Sequence, residues 1–258
     1  MPRFAANLSM MFNEWSFLDR FAAAADAGFK AVEFLFPYDF SPEDVAGRLK
    51  AAGLEQALFN LPPGDWAAGE RGIAALAGRH DEFRASVMKA LDYALATGVK
   101  RLHMMAGLAP SHSAEAGERY RDAVRMACAT MEPHGIDIVL EPINRRDMPG
   151  YFLNDFDMAG EIIDELGLPN LKLQYDIYHR QILHGDVVKS LEELLPVIGH
   201  VQIASVPLRN EPGTGELNDF RIFNELDRLG YDGFVGCEYR PAGATLEGLG
   251  WMKQTTLR

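Results

Sequence analysis

Short runs in which apolar and polar residues alternate are separated along this chain by longer stretches whose apolar residues fall three and four apart, the patterns of strands and of amphipathic helices. Strands are predicted at Arg3–Met10, Ala31–Phe36, Gln56–Leu61, Arg101–Ala106, Asp137–Ile143, within Leu171–His179, around His200–Ile203 and at Gly233–Tyr239. Helices are predicted from Ser16 to Gly28, from Ser41 to Gly53, and at His80–Thr97, Ala114–Pro133, Asp155–Leu166, Lys189–Ile198 and Asn218–Leu229, with Thr245–Met252 closing the series. Local punctuation agrees. Ser16 has Asp19 at capping-box spacing, and Ser41 precedes Pro42 at the first helical position with Glu43 and Asp44 in the first turn. Strands joined by helices of this length pair in parallel through right-handed crossovers. Eight such units in 258 residues fit an α/β fold made of a single (β/α)8 TIM barrel over residues 1–258. An open doubly wound sheet fits less well, and the glycine fingerprint of a dinucleotide site follows none of the strands.

The longest irregular segment follows the third strand, between Asn60 and Gly72. Loops of more than about 12 residues in a compact domain often serve as lids. The region 60–76 is therefore expected to cover an active site, with Trp66 excluding water and Glu70 and Arg71 supplying polar contacts, Arg71 to substrate.

Composition narrows the chemistry. The chain is 48% hydrophobic, enough for a large core, and its 25 Lys+Arg against 37 Asp+Glu give a formal charge of −12. Such a surface repels nucleic acid and anionic membrane, so an anionic substrate needs a local basic pocket. Cys128 and Cys237 lack metal-type spacing and read as free buried thiols of a reducing compartment. With no leader-like segment at the N-terminus and no apolar window near the roughly 18 residues of a membrane span, cytoplasmic placement without a membrane partner is expected. Assembly into a homo-oligomer stays open.

Four consecutive predicted strands, five to eight, carry a polar residue toward their carboxyl ends: Glu141 in DIVLE, Asp176 in LQYD, Gln202 in HVQI and Glu238 in FVGCE. Their neighbours Leu140, Tyr175, Val201, Ile203 and Cys237 suit an outer helix layer, which turns the polar groups inward. Chemistry on this fold sits at that end of the barrel. A single acid at a strand end is more commonly a cap or a loop ion pair, but four hard oxygen donors together predict one divalent cation, Mg²⁺ or Mn²⁺. Glu141 and Glu238 would approach a ligand from two sides, as an acid/base pair must. His179, in what reads as a polar turn beyond Asp176, is a candidate substrate donor or a support for a ligand. Arg209, after strand seven, is a candidate clamp for a substrate carboxylate. Lys172, His103 and Glu33 are assigned no role.

The segments LEPIN at 140–144, LQYDIYH at 173–179, HVQIA at 200–204, EPGTGE at 211–216 and GCEY at 236–239 resemble the hydroxypyruvate isomerase family, within the xylose-isomerase-like TIM-barrel superfamily. NLSMMF at 7–12, EFLFPYDF at 33–40 and NLPPGDWAAGERGIA at 60–74 look like the same family, so the likeness spans nearly the whole chain. The resemblance implies a divalent metal at Glu141, Asp176, Gln202 and Glu238, with Glu141 and Glu238 as the acid/base pair. His179 and Arg209 match, more loosely, substrate-binding positions of related sugar epimerases. Those enzymes usually have a histidine where this chain has Gln202, so their metal preference does not carry over. The implied reaction interconverts hydroxypyruvate and 2-hydroxy-3-oxopropanoate (tartronate semialdehyde) through a metal-stabilised enediolate, with a small anionic 2-oxo acid as substrate. MPRFAANLSMMF, MAGLAP and IASVPLRNEP look more like 2-oxo-tetronate isomerase, whereas DWAAGERG, EPIN and QYDIYH look more like hydroxypyruvate isomerase. The central motifs rank hydroxypyruvate first and 2-oxo-tetronate as the alternative.

Two readings of other classes are disfavoured. Apurinic-site endonucleases share the barrel but need a basic groove and several histidine ligands, against seven scattered histidines and a charge of −12 here. A non-catalytic sugar-acid binding protein would need no acid/base pair.

Overall fold

Eight strands close into one parallel barrel in sequence order in a computed structural model that describes residues 2–255. Strands and helices run β1 (Arg3–Asn7), α1 (Arg20–Asp26), β2 (Ala31–Phe34), α2 (Pro42–Ala52), β3 (Glu55–Asn60), α3 (His80–Thr97), β4 (Arg101–His103), α4 (Ala114–Met131) and β5 (Asp137–Leu140). They continue with α5 (Phe156–Leu166), β6 (Leu171–Asp176), α6 (Ile177–Leu183), α7 (Val187–Leu194), β7 (Ile198–Ile203), α8 (Asp219–Arg228), β8 (Phe234–Cys237), α9 (Thr245–Gly248) and α10 (Gly250–Thr255). Closure is made by β8 pairing with β1, Arg3 opposite Phe234 through Ala6 opposite Cys237. Closing the sheet on itself leaves no edge strand exposed.

Most expected elements are present with shorter strands. The first strand stops at Asn7 because Met10 and Met11 donate their N–H groups back to the Asn7 carbonyl, while the Asn7 side chain accepts from the N–H of Ser9. Ser41 caps α2 by accepting from the Asp44 N–H, and Gly53 ends that helix at φ 64°, a left-handed position suited to glycine. Ser16 behaves differently. Its hydroxyl donates to Asp19 at 2.6 Å and caps no backbone N–H, so a 3₁₀ turn at Phe17–Asp19 precedes α1. The segment after Asp176 is helix α6, where a polar turn is expected from sequence; Asp176 caps it by accepting from the Tyr178 N–H at 2.8 Å.

The main core lies between the strands and the helices, where Leu140, Tyr175, Val201, Ile203 and Cys237 are fully buried. A separate small cluster of Ala5, Ala31, Ala57 and Phe234 lies with the inward-facing strand positions. Above it the barrel interior turns polar: Asn7, Glu33, Gln174, His200 and Gln202 are all buried and joined by hydrogen bonds. The register of β2 against β3 shifts between Val32 and Glu33, and that of β6 against β7 shifts between Leu173 and Gln174. Irregularities of this kind re-aim a side chain, and here they flank Glu33 and Gln174. Cys128 and Cys237 are free and buried, and burial pushes the Cys128 thiol up to about 12. Among the described residues no helix is long and apolar enough to cross a membrane.

Candidate active site

Glu141 follows β5, Asp176 ends β6, His179 lies in the first turn of α6, and Glu238 follows β8. One ligand atom from each falls within 4.8 Å of the others, and all four residues are buried. The fold thus brings together three of the four oxygen-bearing residues singled out above, with His179 beside them. Gln202 is also buried but is held by other side chains: its Nε2 donates to Glu33 at 2.8 Å and its Oε1 accepts from Gln174 at 2.6 Å.

The tautomer of His179 follows from its partners. The backbone N–H of Asn144 lies 3.3 Å from Nδ1, and an N–H can only donate, so Nδ1 is the acceptor. Burial, then the charge of Arg209 and the nearby His103, hold this imidazole neutral by pushing its pKa well below the usual histidine range. The remaining proton is therefore on Nε2, 3.5 Å from Asp176 Oδ2 and 3.9 Å from Glu141 Oε1. His179 faces the acids as a donor.

Carboxylates packed this closely in a dry interior resist ionisation. Burial, with Glu238 and Asp176 adding repulsion, raises the Glu141 carboxyl well above its ordinary range. Burial also raises Glu238 to about 8 and Asp176 to about 6, against the opposing pull of Arg209. Arg209 is the cation that faces all three. Its Nη2 donates to Glu238 and lies 3.4 Å from Asp176, while Nη1 lies 3.3 Å from Asp147. The guanidinium also sits 4.8 Å from the ring of Tyr178, a cation–π distance.

Glu141, His179, Arg209 and Glu238 line a cavity of about 910 Å³, together with Arg71 and Trp66 from the loop after β3. The Arg71 guanidinium stacks 3.8 Å from the Trp66 ring and donates to the carbonyls of Trp66 and Glu70. Its bonds go to neutral carbonyls, and among the described residues its charge has no carboxylate partner. Glu70 does not reach the cavity. It accepts from Arg79 and from the Asp65 N–H, tying the loop to itself. Gly72, at φ 95°, pins the loop's far end to Ala106 where a Cβ would overlap the backbone of Met105.

Several site residues escape the sequence reading. His103 lines the cavity with Nε2 3.6 Å from Glu141, and burial together with His200 pushes its pKa down to about 3. Glu33 is wholly buried under the cluster. Gln174 and His200 share strand parity with Asp176 and Gln202, so the alternation that marks the latter pair extends to them. Asn60, at the end of β3, and Arg240, beyond β8, also line the cavity.

The residues present fit a hard divalent cation. Among the described residues, three buried carboxylates are faced by one arginine, Arg209, and Glu141 Oε1 is buried without a hydrogen-bond partner; the donor set is oxygen-rich. Metal binding by such a set displaces protons from acids whose pKa values are raised.

Residues 21–255 match the family described as xylose isomerase-like TIM barrel. The chain is 55% identical over 255 residues to 2-oxo-tetronate isomerase of Cupriavidus necator and 45% identical over 254 residues to hydroxypyruvate isomerase of Escherichia coli K12, with 98% of both chains covered each time. A Brucella melitensis crystal structure described as AP endonuclease, family 2 superposes with a TM-score of 0.96 at 50% identity, covering 98% of this chain and 99% of that one. With that barrel, that cluster and these relatives, the chain belongs to the xylose isomerase-like TIM-barrel enzymes, within the group formed by the hydroxypyruvate and 2-oxo-tetronate isomerases.

Proposed function

We propose that the protein isomerises 2-oxo-tetronate, moving the carbonyl from C2 to C3, with hydroxypyruvate as the second substrate to consider. The observation that carries the isomerase reading is the pairing of Glu141 and Glu238, two buried carboxylates just beyond β5 and β8 whose ligand atoms lie within 4.8 Å and which line one cavity. The choice of substrate rests on the higher identity to the 2-oxo-tetronate isomerase, 55% against 45%. It reverses the order in which the central motifs rank the two acids.

Glu141, Asp176, Gln202 and Glu238 would hold a divalent cation, Mg²⁺ or Mn²⁺. When bound, it supplies Lewis-acid stabilisation of the negative charge that develops on the substrate oxygens. One glutamate takes the C3 proton and the other delivers a proton to C2, while the proton of the C3 hydroxyl passes to the C2 oxygen; if a single base serves both carbons, the first glutamate returns its proton to C2. A glutamate serving as base must be loosely held as a ligand at that moment, since coordination weakens it. His179 donates through Nε2–H to a substrate oxygen. Arg209 has five N–H donors and a bidentate fork suited to the substrate carboxylate, and Arg71 offers a second cationic contact from the loop. With Trp66 at the cavity wall, the loop over 60–76 acts as a lid that limits water around a reactive enediolate.

The same chemistry on hydroxypyruvate yields 2-hydroxy-3-oxopropanoate, and the two substrates differ by one hydroxymethylene unit. The description of the Brucella melitensis protein raises a phosphodiesterase reading. Against it stand the charge of −12 and a cluster with only one histidine among the described residues.

Proton NMR in D₂O of Mg²⁺-loaded protein, with each acid in a separate tube and a chelated control, tests the reading. Metal-dependent conversion with deuterium at the new C–H is expected, faster for 2-oxo-tetronate. A folded, metal-bound protein that converts and exchanges neither acid would overturn it.

A further inference from the structure

Glu33 on β2 is fully buried, and its side-chain bonds come from other strands. Asn7 Nδ2 of β1 donates to Oε1 at 2.9 Å, Gln202 Nε2 of β7 donates to the same oxygen at 2.8 Å, and His200 Nε2 lies 2.6 Å from Oε2. The inward position on β8 is Gly236, where a Cβ would overlap the Glu33 carboxylate. Four residues on three neighbouring strands, β7, β8 and β1, therefore converge on keeping this carboxylate at the barrel axis.

The consequence lies in the two unlike ends of an amide. Only the NH₂ end donates, and only the carbonyl oxygen can accept a proton or ligate a cation. Because Glu33 takes the NH₂ of Gln202, the carbonyl oxygen is turned the other way, toward β6. There Gln174 donates to it at 2.6 Å and Asp176 is its register partner. An inverted amide would present NH₂ where an oxygen donor is needed.

We propose that Glu33 is a positioning residue for divalent-cation binding: by holding the NH₂ of Gln202 it commits the carbonyl oxygen to the carboxylate cluster. This rests on the ligand set proposed above and assigns a role to a residue that touches neither the cavity nor the substrate.

The test is calorimetric titration of chelated protein with MnCl₂. Glu33→Gln keeps the side-chain size but lets the two facing amides pair in either sense. The expected loss of Mn²⁺ affinity is about 10- to 100-fold, the usual range for a group that orients a ligand. In a Gln202→Ala background the same substitution is expected to have no further effect, since its influence passes through that amide. Equal losses in both backgrounds, or no loss from Glu33→Gln while Gln202→Ala weakens Mn²⁺, would overturn the positioning role. If neither Gln202→Ala nor Glu141→Gln weakens Mn²⁺, the ligand set is wrong and the proposal falls with it. Selective ¹⁵N-glutamine NMR of the wild-type protein reads the orientation without any variant. Cross-relaxation between the Gln202 and Asn7 NH₂ protons, which share one Glu33 oxygen, retained on adding Mg²⁺, supports the proposal, and cross-relaxation of the Gln202 NH₂ with the Gln174 NH₂ in its place overturns it.

Discussion

Arg209 donates to the carboxylate of Glu238 from a backbone held at φ 57°, a left-handed conformation in which most residues other than glycine are strained by roughly 1–2 kcal/mol. The contacts of its guanidinium with Glu238, Asp176 and Asp147 offset that cost and point the side chain over the carboxylate cluster. A planar fork reaching acids from β6, from β8 and from the loop after β5 is not replaceable by a point charge. Arg209→Lys is therefore expected to keep the fold and lower kcat/KM by about 10- to 100-fold, because reacting groups displaced by even 1 Å lose rate on that scale. Steady-state kinetics with both 2-oxo acids check this, and unchanged kinetics would remove Arg209 from substrate binding.

Glu141→Gln and Glu238→Gln keep shape and remove a proton acceptor. Each is expected to cut turnover by about 10²- to 10⁴-fold, the range of general acid–base catalysis. Burial and mutual repulsion oppose ionisation of these groups, so the metal-free variants should melt no lower than the wild type. Deuterium exchange measured alongside turnover identifies which glutamate takes the first proton. Activity within a few-fold of wild type in both variants would contradict the acid/base pair.

The stability of the chelated protein should depend on pH in a defined direction. Burial raises the carboxyls of Glu238 to about 8 and Asp176 to about 6, and Glu141 rises well above its ordinary range. A carboxyl raised on folding contributes stability that is whole below its unfolded pKa, near 4, and is lost as pH rises through its folded value. Melting temperature should accordingly fall between about pH 5 and 8 by at least ~3 °C. Mg²⁺ should flatten the slope, and its binding near pH 6 should release protons, read as calorimetric heats that vary with buffer ionisation enthalpy. A metal-independent pH profile would count against the cation site.

Arg71 stands 3.8 Å over Trp66 with no carboxylate partner among the described residues, so a substrate anion can compete for it. Arg71→Ala is expected to raise KM about tenfold with a smaller change in kcat, the pattern of lost uniform binding. Saturating substrate should change the wild-type tryptophan emission, and Trp66→Phe should abolish that change although Trp15 and Trp251 remain. Emission that responds to substrate equally in Trp66→Phe would show that the loop does not report on the site.

The alternation of two periods was enough to place all eight strands and the closed barrel, because strand parity and helix spacing are local properties of the chain. The same parity turned Glu141, Asp176 and Glu238 to one side, and three acids at the ends of strands five, six and eight need only the fold to meet. Where strands and helices stop was decided by side-chain bonds that parity does not encode, as when Asn7 captures the N–H of Ser9 or Asp176 caps α6. Glu33 looked unremarkable in AVEFLF. Its place at the barrel axis depends on Asn7, His200 and Gln202, between 26 and 169 residues away in sequence, and on the missing side chain of Gly236. His103 likewise gained its neighbour Glu141 only when β4 and β5 paired. The sequence by itself determined which residues face inward and what chemistry they can offer. The tertiary structure alone decided which of them touch, how burial shifts their protons and which end of the Gln202 amide faces the acids, because those depend on distances between strands that only barrel closure sets.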